Sequence, residues 1–172
     1  MARDRVTARR RRRPCPPAGG VRRGLCSSIR VENFSFVHEV RVRFAETDAQ
    51  GIAHHASFVV WLEVARVAYL AAFAGGYRAI RERGIEALTT AVRIEYLRAA
   101  YFDDVLSVGV RCGEIRGARF GYVYAIEREG QTLATAATSH ATVDRETMTP
   151  TRVPAWFRED VVRAEATPPL LP

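Results

Sequence analysis

The sequence contains no lysine and only three cysteines among its 172 residues, so all 26 basic residues are arginine. Cys15, Cys26 and Cys112 lack the paired spacing of a disulfide framework, and a reduced, intracellular chain is therefore expected. Long apolar runs are also missing: the uncharged stretch Val67 to Tyr77 falls well short of the ~20 apolar residues that a membrane span requires. These absences predict a cytoplasmic protein without a membrane span.

Positive charge is concentrated at one end of the chain. Residues 1–30 hold ten arginines and one aspartate, whereas the remaining 142 residues carry a slight excess of acid. The segment has little apolar periodicity, so we expect a disordered extension over residues 1–34, one folded domain over 35–158 and a C-terminal tail over 159–172. A run of five arginines could contact nucleic acid, but a dispensable extension is the preferred interpretation, and nucleic-acid binding is not expected.

The most apolar part of the chain predicts a single long helix. Alternation over residues 36–44 is typical of a half-buried strand, and the following ETDAQG predicts a turn in which Gly51 adopts a positive φ. Ser57 is the expected N-cap of a helix that runs to about Phe73, with Gly75 and Gly76 ending it. Because this helix is apolar on nearly every side, we expect it to be buried by a sheet and by a second subunit.

The second half of the chain predicts a sheet. A short polar helix over residues 77–84 precedes strand-like runs at 89–97, 104–115, 118–128 and 131–143. Gly117 and the Glu129-Gly130 pair predict tight hairpins between the last three runs. Strands that follow one another without helices indicate an antiparallel sheet. The predicted fold is therefore α+β, with about five antiparallel strands wrapped around one long helix in the hotdog layout.

A carboxylate and two histidines stand directly before the long helix. Asp48 could act as a base or nucleophile, and the free N–H groups at the helix start could stabilise an oxyanion, which together suffice for thioester hydrolysis. Taken alone, however, an aspartate in a turn is more often a turn-former than a catalyst. His54 and His55 are adjacent and have no further ligand pair at zinc-like spacing, so neither a metal nor another cofactor is expected.

These segments resemble a known family. RFAETDAQGIAHHASFVVWLEVAR (residues 43–66), VRIEYLRAAYFDDVLSVGVRCGEIRGARFGYVYAIEREGQTLATA (92–136) and VDRETMTPTRVP (143–154) are similar to the 4-hydroxybenzoyl-CoA-thioesterase-like hotdog enzymes, most closely the acyl-CoA thioesterases of the Tol-Pal-cluster type. The resemblance spans about residues 36–157. It implies that Asp48 is the catalytic carboxylate and that the N–H of His55 polarises the thioester carbonyl. The chain departs from the family at His54, often a bulky aromatic, and at Ala99, often proline.

Further site residues are expected from the same resemblance and from charge. Some hotdog thioesterases carry their carboxylate on the long helix, where Glu63 is the candidate, although Glu63 and Arg66 also have the spacing of an ion pair. Arg116 and Arg119, at a predicted hairpin, offer guanidinium groups for CoA phosphates. The remaining expected substrate-binding residues are Gly51, His54, Ser57 and Phe58. A homo-oligomer, dimer or tetramer, is expected.

The sequence therefore predicts hydrolysis of acyl-CoA thioesters to free acid and CoA, with Asp48 as nucleophile or general base. A hotdog hydratase or dehydratase is an alternative, but its catalytic histidine lies near a loop rich in proline and glycine that this chain lacks. A non-catalytic acyl-CoA-binding module is the second alternative. An aromatic-lined pocket would fit an aryl group or a short to medium acyl chain.

Overall fold

The computed structural model describes residues 29–165 as a five-stranded sheet with helices packed on it. The expected N-terminal extension up to residue 28 and the expected tail from residue 166 lie outside the described residues. In chain order the elements are β1 (Val37–Arg41), α1 (His55–Phe73), α2 (Gly76–Glu82), β2 (Ile85–Tyr96), β3 (Val105–Arg116), β4 (Arg119–Arg128), β5 (Gln131–Asp144) and α3 (Ala155–Ala164), with single 3-10 turns at Val31–Asn33 and Phe44–Glu46. This arrangement confirms the α+β prediction.

The sheet has the strand order β1-β3-β4-β5-β2, and every neighbouring pair is antiparallel. Gly117 and Gly130, at φ 61° and 73°, make the two predicted hairpins that join β3, β4 and β5. Strand β2 does not lie next to β3, the strand that follows it in the chain: it pairs with β5 from Ile85↔Asp144 to Tyr96↔Ala134 and so forms one edge of the sheet. Local periodicity identifies a strand but carries no information on which strand it pairs with.

Helix α1 packs one face on the sheet. Phe58, Trp61, Leu62, Ala65 and Tyr69 on this face are at most 3% exposed. The opposite flank is not covered by any part of residues 29–165, because Val59, Val60, Val64 and Val67 are 41–49% exposed. By length and composition α1 could also cross a bilayer, but a helix packed in a domain core passes the same test.

Helix α3 was not anticipated from the sequence. It runs from Ala155 to Ala164 and so crosses residue 158, where we placed the end of the folded domain. Phe157 and Val161 are buried, and the Phe157 ring meets the Phe120 ring edge-on at 5.5 Å. Because only Phe157 and Val161 of this ten-residue helix are buried, its apolar periodicity is too weak to detect by pattern alone.

Candidate active site

The turn before α1 is a small closed loop that carries Asp48. A bridge between Thr47 and Ala53 closes it, and the N–H of Asp48 donates to the Ile52 carbonyl at 2.9 Å. The N–H of Gly51 donates back to the Asp48 carbonyl at 3.0 Å, and Gly51 has the predicted positive φ of 76°. Glycine adopts this left-handed conformation without steric cost, so the loop holds Asp48 in one place.

Glu46 connects this loop to the start of α1. Its backbone carbonyl accepts the His54 N–H at 2.7 Å and the Ser57 hydroxyl at 3.0 Å. Its side chain accepts from the backbone N–H of Arg43 at 2.8 Å and from the Arg43 guanidinium at 2.7 Å. Burial would raise the pKa of the Glu46 carboxyl, but the hydrogen bonds and charge of Arg43 outweigh burial and lower the pKa. Glu46 therefore stays charged and braces the loop.

The helix begins three residues earlier than predicted. His54 is the N-cap, with its Nδ1 accepting the Ala56 N–H at 3.2 Å, whereas Ser57 lies inside the first turn. The Ser57 N–H donates to the His54 carbonyl at 2.9 Å. Within residues 29–165, the N–H of His55 has no hydrogen-bond acceptor. An unpaired donor at the positive end of a helix is suited to an oxyanion.

The Asp48 carboxylate is only partly used by its own loop. One oxygen, Oδ1, accepts the Gln50 N–H at 2.8 Å, the usual bond of an aspartate in a turn. The other oxygen has no hydrogen-bond partner in the described part of the chain. Asp48 is half-buried, so this oxygen is available to a ligand.

Asp48 and His55 line the same open cleft, which has a volume of about 450 Å³. Phe58 lies in its wall, with its ring 5.1 Å from that of Tyr96, and the Tyr96 hydroxyl donates to the His55 carbonyl at 3.1 Å. Its other lining residues, which sequence analysis missed, are Gln50, Ile52, Ala53, Leu97, Arg98 and Ala99. The segment after β2 reaches the cleft because the Ala53 N–H bonds the Ala100 carbonyl at 2.8 Å. No local pattern indicates that contact.

Four of the predicted substrate-binding residues lie in or next to the cleft, and the catalytic candidate Glu63 does not. Gly51 and His54 shape the loop and the cap, Ser57 is buried beneath them, and Phe58 lines the wall. Glu63 lies eight residues after His55, which is about 12 Å along the helix axis at the rise per residue of an α-helix. Its side chain is 56% exposed and pairs with Arg66 at 2.5 Å. Within one chain, Glu63 and Asp48 therefore do not form one site.

Arg116 and Arg119 are also remote from the cleft of their own chain. They face each other across the β3–β4 hairpin, and Arg119 pairs with Ala141 of β5. The cleft residue Tyr96 pairs with Ala134 at the other end of β5. Seven residues of extended strand span about 23 Å. The prediction that these arginines join the site is thus not met within one subunit.

The histidines show no metal-binding arrangement. The rings of His54 and His55 lie 4.1 Å apart, but no group of three potential metal ligands occurs among the described residues. His140 is buried, with Nε2 2.8 Å from the Thr138 hydroxyl and Nδ1 3.3 Å from that of Thr89. Burial, with a contribution from the Arg66 charge, lowers the pKa of His140 to about 4.

Comparison with known proteins gives consistent matches. The profile of the thioesterase-like superfamily matches residues 42–161. An acyl-CoA thioesterase of Haemophilus influenzae is 31% identical over 122 residues, which cover 70% of this chain and 88% of that protein. Among solved structures, a hypothetical protein from Aquifex aeolicus has a TM-score of 0.70 at 30% identity, covering 73% of this chain and 98% of that one. A DHNA-CoA thioesterase from Staphylococcus aureus has a TM-score of 0.64 at 26% identity, covering 67% and 78%.

Proposed function

The chain belongs to the thioesterase-like superfamily, and we propose that it hydrolyses acyl-CoA thioesters to free acid and CoA in the cleft between Asp48 and the start of α1. The observation that carries this assignment is the pair of unpaired groups in one cleft, the second carboxylate oxygen of Asp48 and the N–H of His55. The relatives that act on acyl-CoA support the substrate class.

Thioester hydrolysis needs few catalytic groups, because the CoA thiolate leaves readily. The pKa of the CoA thiol is near that of a cysteine thiol. The carbonyl oxygen accepts the His55 N–H, which stabilises the negative charge that develops on it. In one route an Asp48 oxygen attacks the carbonyl carbon, the carbon–sulfur bond breaks, and water hydrolyses the resulting anhydride. In the other route Asp48 removes a proton from a water molecule whose oxygen attacks, the carbon–sulfur bond breaks, and the proton passes from Asp48 to the departing CoA thiolate. Both routes use the same geometry.

Replacing Asp48 by asparagine tests the proposal. The Asp48→Asn variant keeps the size of the side chain and an oxygen for the Gln50 N–H, but it removes the base. We expect kcat for thiol release from acyl-CoA to fall by roughly 10²–10⁴, with the thermal unfolding midpoint nearly unchanged.

A matched control for this variant is Asp103→Asn. Asp103 has a positive φ of 69° and an ion pair with Arg41 at 2.8 Å, and asparagine tolerates that conformation. Full thiol release by the Asp48 variant would refute the catalytic role. Hydration of an unsaturated acyl-CoA without thiol release would instead favour the hydratase alternative.

We also propose that two chains associate through the flank of α1 and the free edge of β2. The four valines of that flank are 41–49% exposed, and Leu88 and Val92 of the edge strand are each 41% exposed. An apolar helix flank beside an open strand edge is a surface that association would bury. Light scattering at micromolar concentration should give at least twice the chain mass, and a compact monomer would contradict the proposal. A role for Glu63 in the site would require this second chain.

For the cellular location we propose the cytoplasm. The redox state of its cysteine supports this location: Cys112, the one cysteine within residues 29–165, is buried and free. Free cysteines are the normal state in a reducing compartment. Fractionation of the native cells, followed by detection of the protein, tests the location; recovery in the membrane fraction would refute it.

A further inference from the structure

A second groove continues the cleft on the side away from Asp48. It has a volume of about 540 Å³ and is lined by Ile29, Arg30, Leu97, Arg98, Gly130, Gln131 and Thr132. Leu97 and Arg98 also line the cleft that contains Asp48 and His55. The two hollows therefore share a wall, and a long ligand with one end at Asp48 can extend past Arg98 into the groove.

Arg98 is a cation without a counter-charge. One guanidinium nitrogen, Nη1, donates to the Thr132 carbonyl at 2.8 Å, and the side chain makes no ion pair with any carboxylate within residues 29–165. Some exposed arginines are paired, for example Arg78 with Glu82 and Arg41 with Asp103, each at 2.8 Å. A guanidinium has five N–H donors, and only one of those of Arg98 has a hydrogen-bond acceptor within residues 29–165.

The lining of the groove is positive on balance. It includes two arginines and no acidic residue, although Glu127, just outside the lining, pairs with Arg30 at 3.1 Å. Arg30 also donates to the Gly130 carbonyl at 2.5 Å. Its charge is therefore already paired with Glu127 and its side chain is held at the groove wall. The charge that stays uncompensated is therefore that of Arg98. The adjoining cleft has the opposite polarity at its far end, where the carboxylate of Asp48 lies.

We propose that Arg98 binds a phosphate group of the CoA moiety, so that CoA leaves the cleft along this groove. The inference rests on the proposed function, because it takes the thioester to lie between Asp48 and His55. Guanidinium groups bind phosphate oxygens through paired, charge-assisted hydrogen bonds. Placing this contact beside the cleft separates recognition of the phosphate end from chemistry at the acyl end.

Two substrates that share one acyl group test the contact. The first is the acyl-CoA and the second is the acyl thioester of pantetheine, which has no phosphate. For Arg98→Ala we expect KM for the acyl-CoA to rise about tenfold or more, as for a lost hydrogen bond to a charged group. We expect kcat to stay within about twofold and both constants for the pantetheine thioester to be unchanged. Arg98→Lys should restore part of the loss.

The control is Arg78→Ala, which removes an exposed arginine on α2 that is already paired and should change neither substrate's KM. An equal rise of KM for both substrates would overturn the proposal, since Arg98 would then act only through the Thr132 carbonyl. No change in Arg98→Ala, or a rise in the double variant Arg116→Ala Arg119→Ala alone, would overturn it as well. Failure of the catalytic proposal is separate, because Asp48→Asn would then turn over both thioesters normally.

Discussion

The carboxylates of Glu165 and Asp48 lie near opposite ends of α1 and differ in the number of hydrogen bonds that they accept. Glu165, directly after α3, is 7% exposed and accepts three hydrogen bonds. The donors are the Tyr69 hydroxyl at 2.5 Å, the Cys112 N–H at 2.9 Å and the Ser35 hydroxyl at 3.0 Å. Asp48 is half-buried and accepts one bond, from the neighbouring Gln50. A buried carboxylate is tolerated only when its oxygens are satisfied, whereas a free oxygen requires access to water or a ligand.

This difference separates a structural group from a functional one. Glu165 joins the segment before β1, the long helix and the third strand, so its bonds hold distant parts of the chain together. Burial, together with the hydrogen bond to Glu165, raises the pKa of the Tyr69 hydroxyl, and burial raises that of the Cys112 thiol. The Tyr69 hydroxyl, which donates to Glu165, and the Cys112 thiol therefore both stay neutral. The bonds around Asp48, by contrast, hold the loop and leave one oxygen open.

The largest expected effect on stability follows from removing Glu165. In Glu165→Ala the buried Tyr69 hydroxyl and Cys112 N–H and the exposed Ser35 hydroxyl lose their acceptor. Each of the two buried groups left unsatisfied costs about 1–3 kcal/mol, whereas Ser35 can bond water. We expect the free energy of unfolding in urea to fall by about 3 kcal/mol or more, with kcat of the folded fraction nearly unchanged. Asp48→Asn should give the reverse pattern.

Glu159→Ala provides the control for this measurement, because Glu159 lies on the exposed face of the same helix. A stable Glu165→Ala variant would mean that solvent satisfies the three donors. A selective loss of kcat in that variant, with stability retained, would erase the distinction between the two carboxylates.

A smaller effect is expected from His140, another buried polar group with its nitrogens partnered. Its pKa is lowered from 6.5 to about 4, so the unfolded chain takes up a proton below pH 6.5 that the native chain refuses. Stability should therefore be full above pH 6.5 and decline as the pH falls towards 4, by at most about 3 kcal/mol. Chemical unfolding at several pH values measures the slope.

The His140→Gln variant should flatten that slope between pH 4 and 6.5, because glutamine keeps a hydrogen-bonding group beside Thr138 without titrating. The lowered pKa of Glu46 affects stability in a different pH range. The stability that it contributes is present above pH 4.5 and is lost as the pH falls from 4.5 through the lowered pKa. An unchanged slope in His140→Gln would show that other groups control the acid side of the stability curve.

Much of the fold could be predicted because its signals are local. Alternation marked the strands, the apolar run marked α1, and Gly117 and Gly130 marked hairpins that only a left-handed residue makes easily. The edge position of β2 and the presence of α3 could not be predicted, since both depend on contacts between residues far apart in the chain. Helix α1 also begins at His55 because His54 serves as the cap in place of Ser57.

The sequence by itself determined the chemistry available before the long helix: a carboxylate two residues after Glu46, a glycine that closes the loop, and a helix start whose first N–H groups have no acceptor inside the helix. Only the tertiary structure decided which groups share a cleft. It placed Tyr96 and Arg98 beside Asp48 and put Glu63, Arg116 and Arg119 elsewhere in the chain. The physical reason is that backbone geometry follows from neighbouring residues, whereas a binding site depends on strand pairing and packing between segments that are distant in sequence.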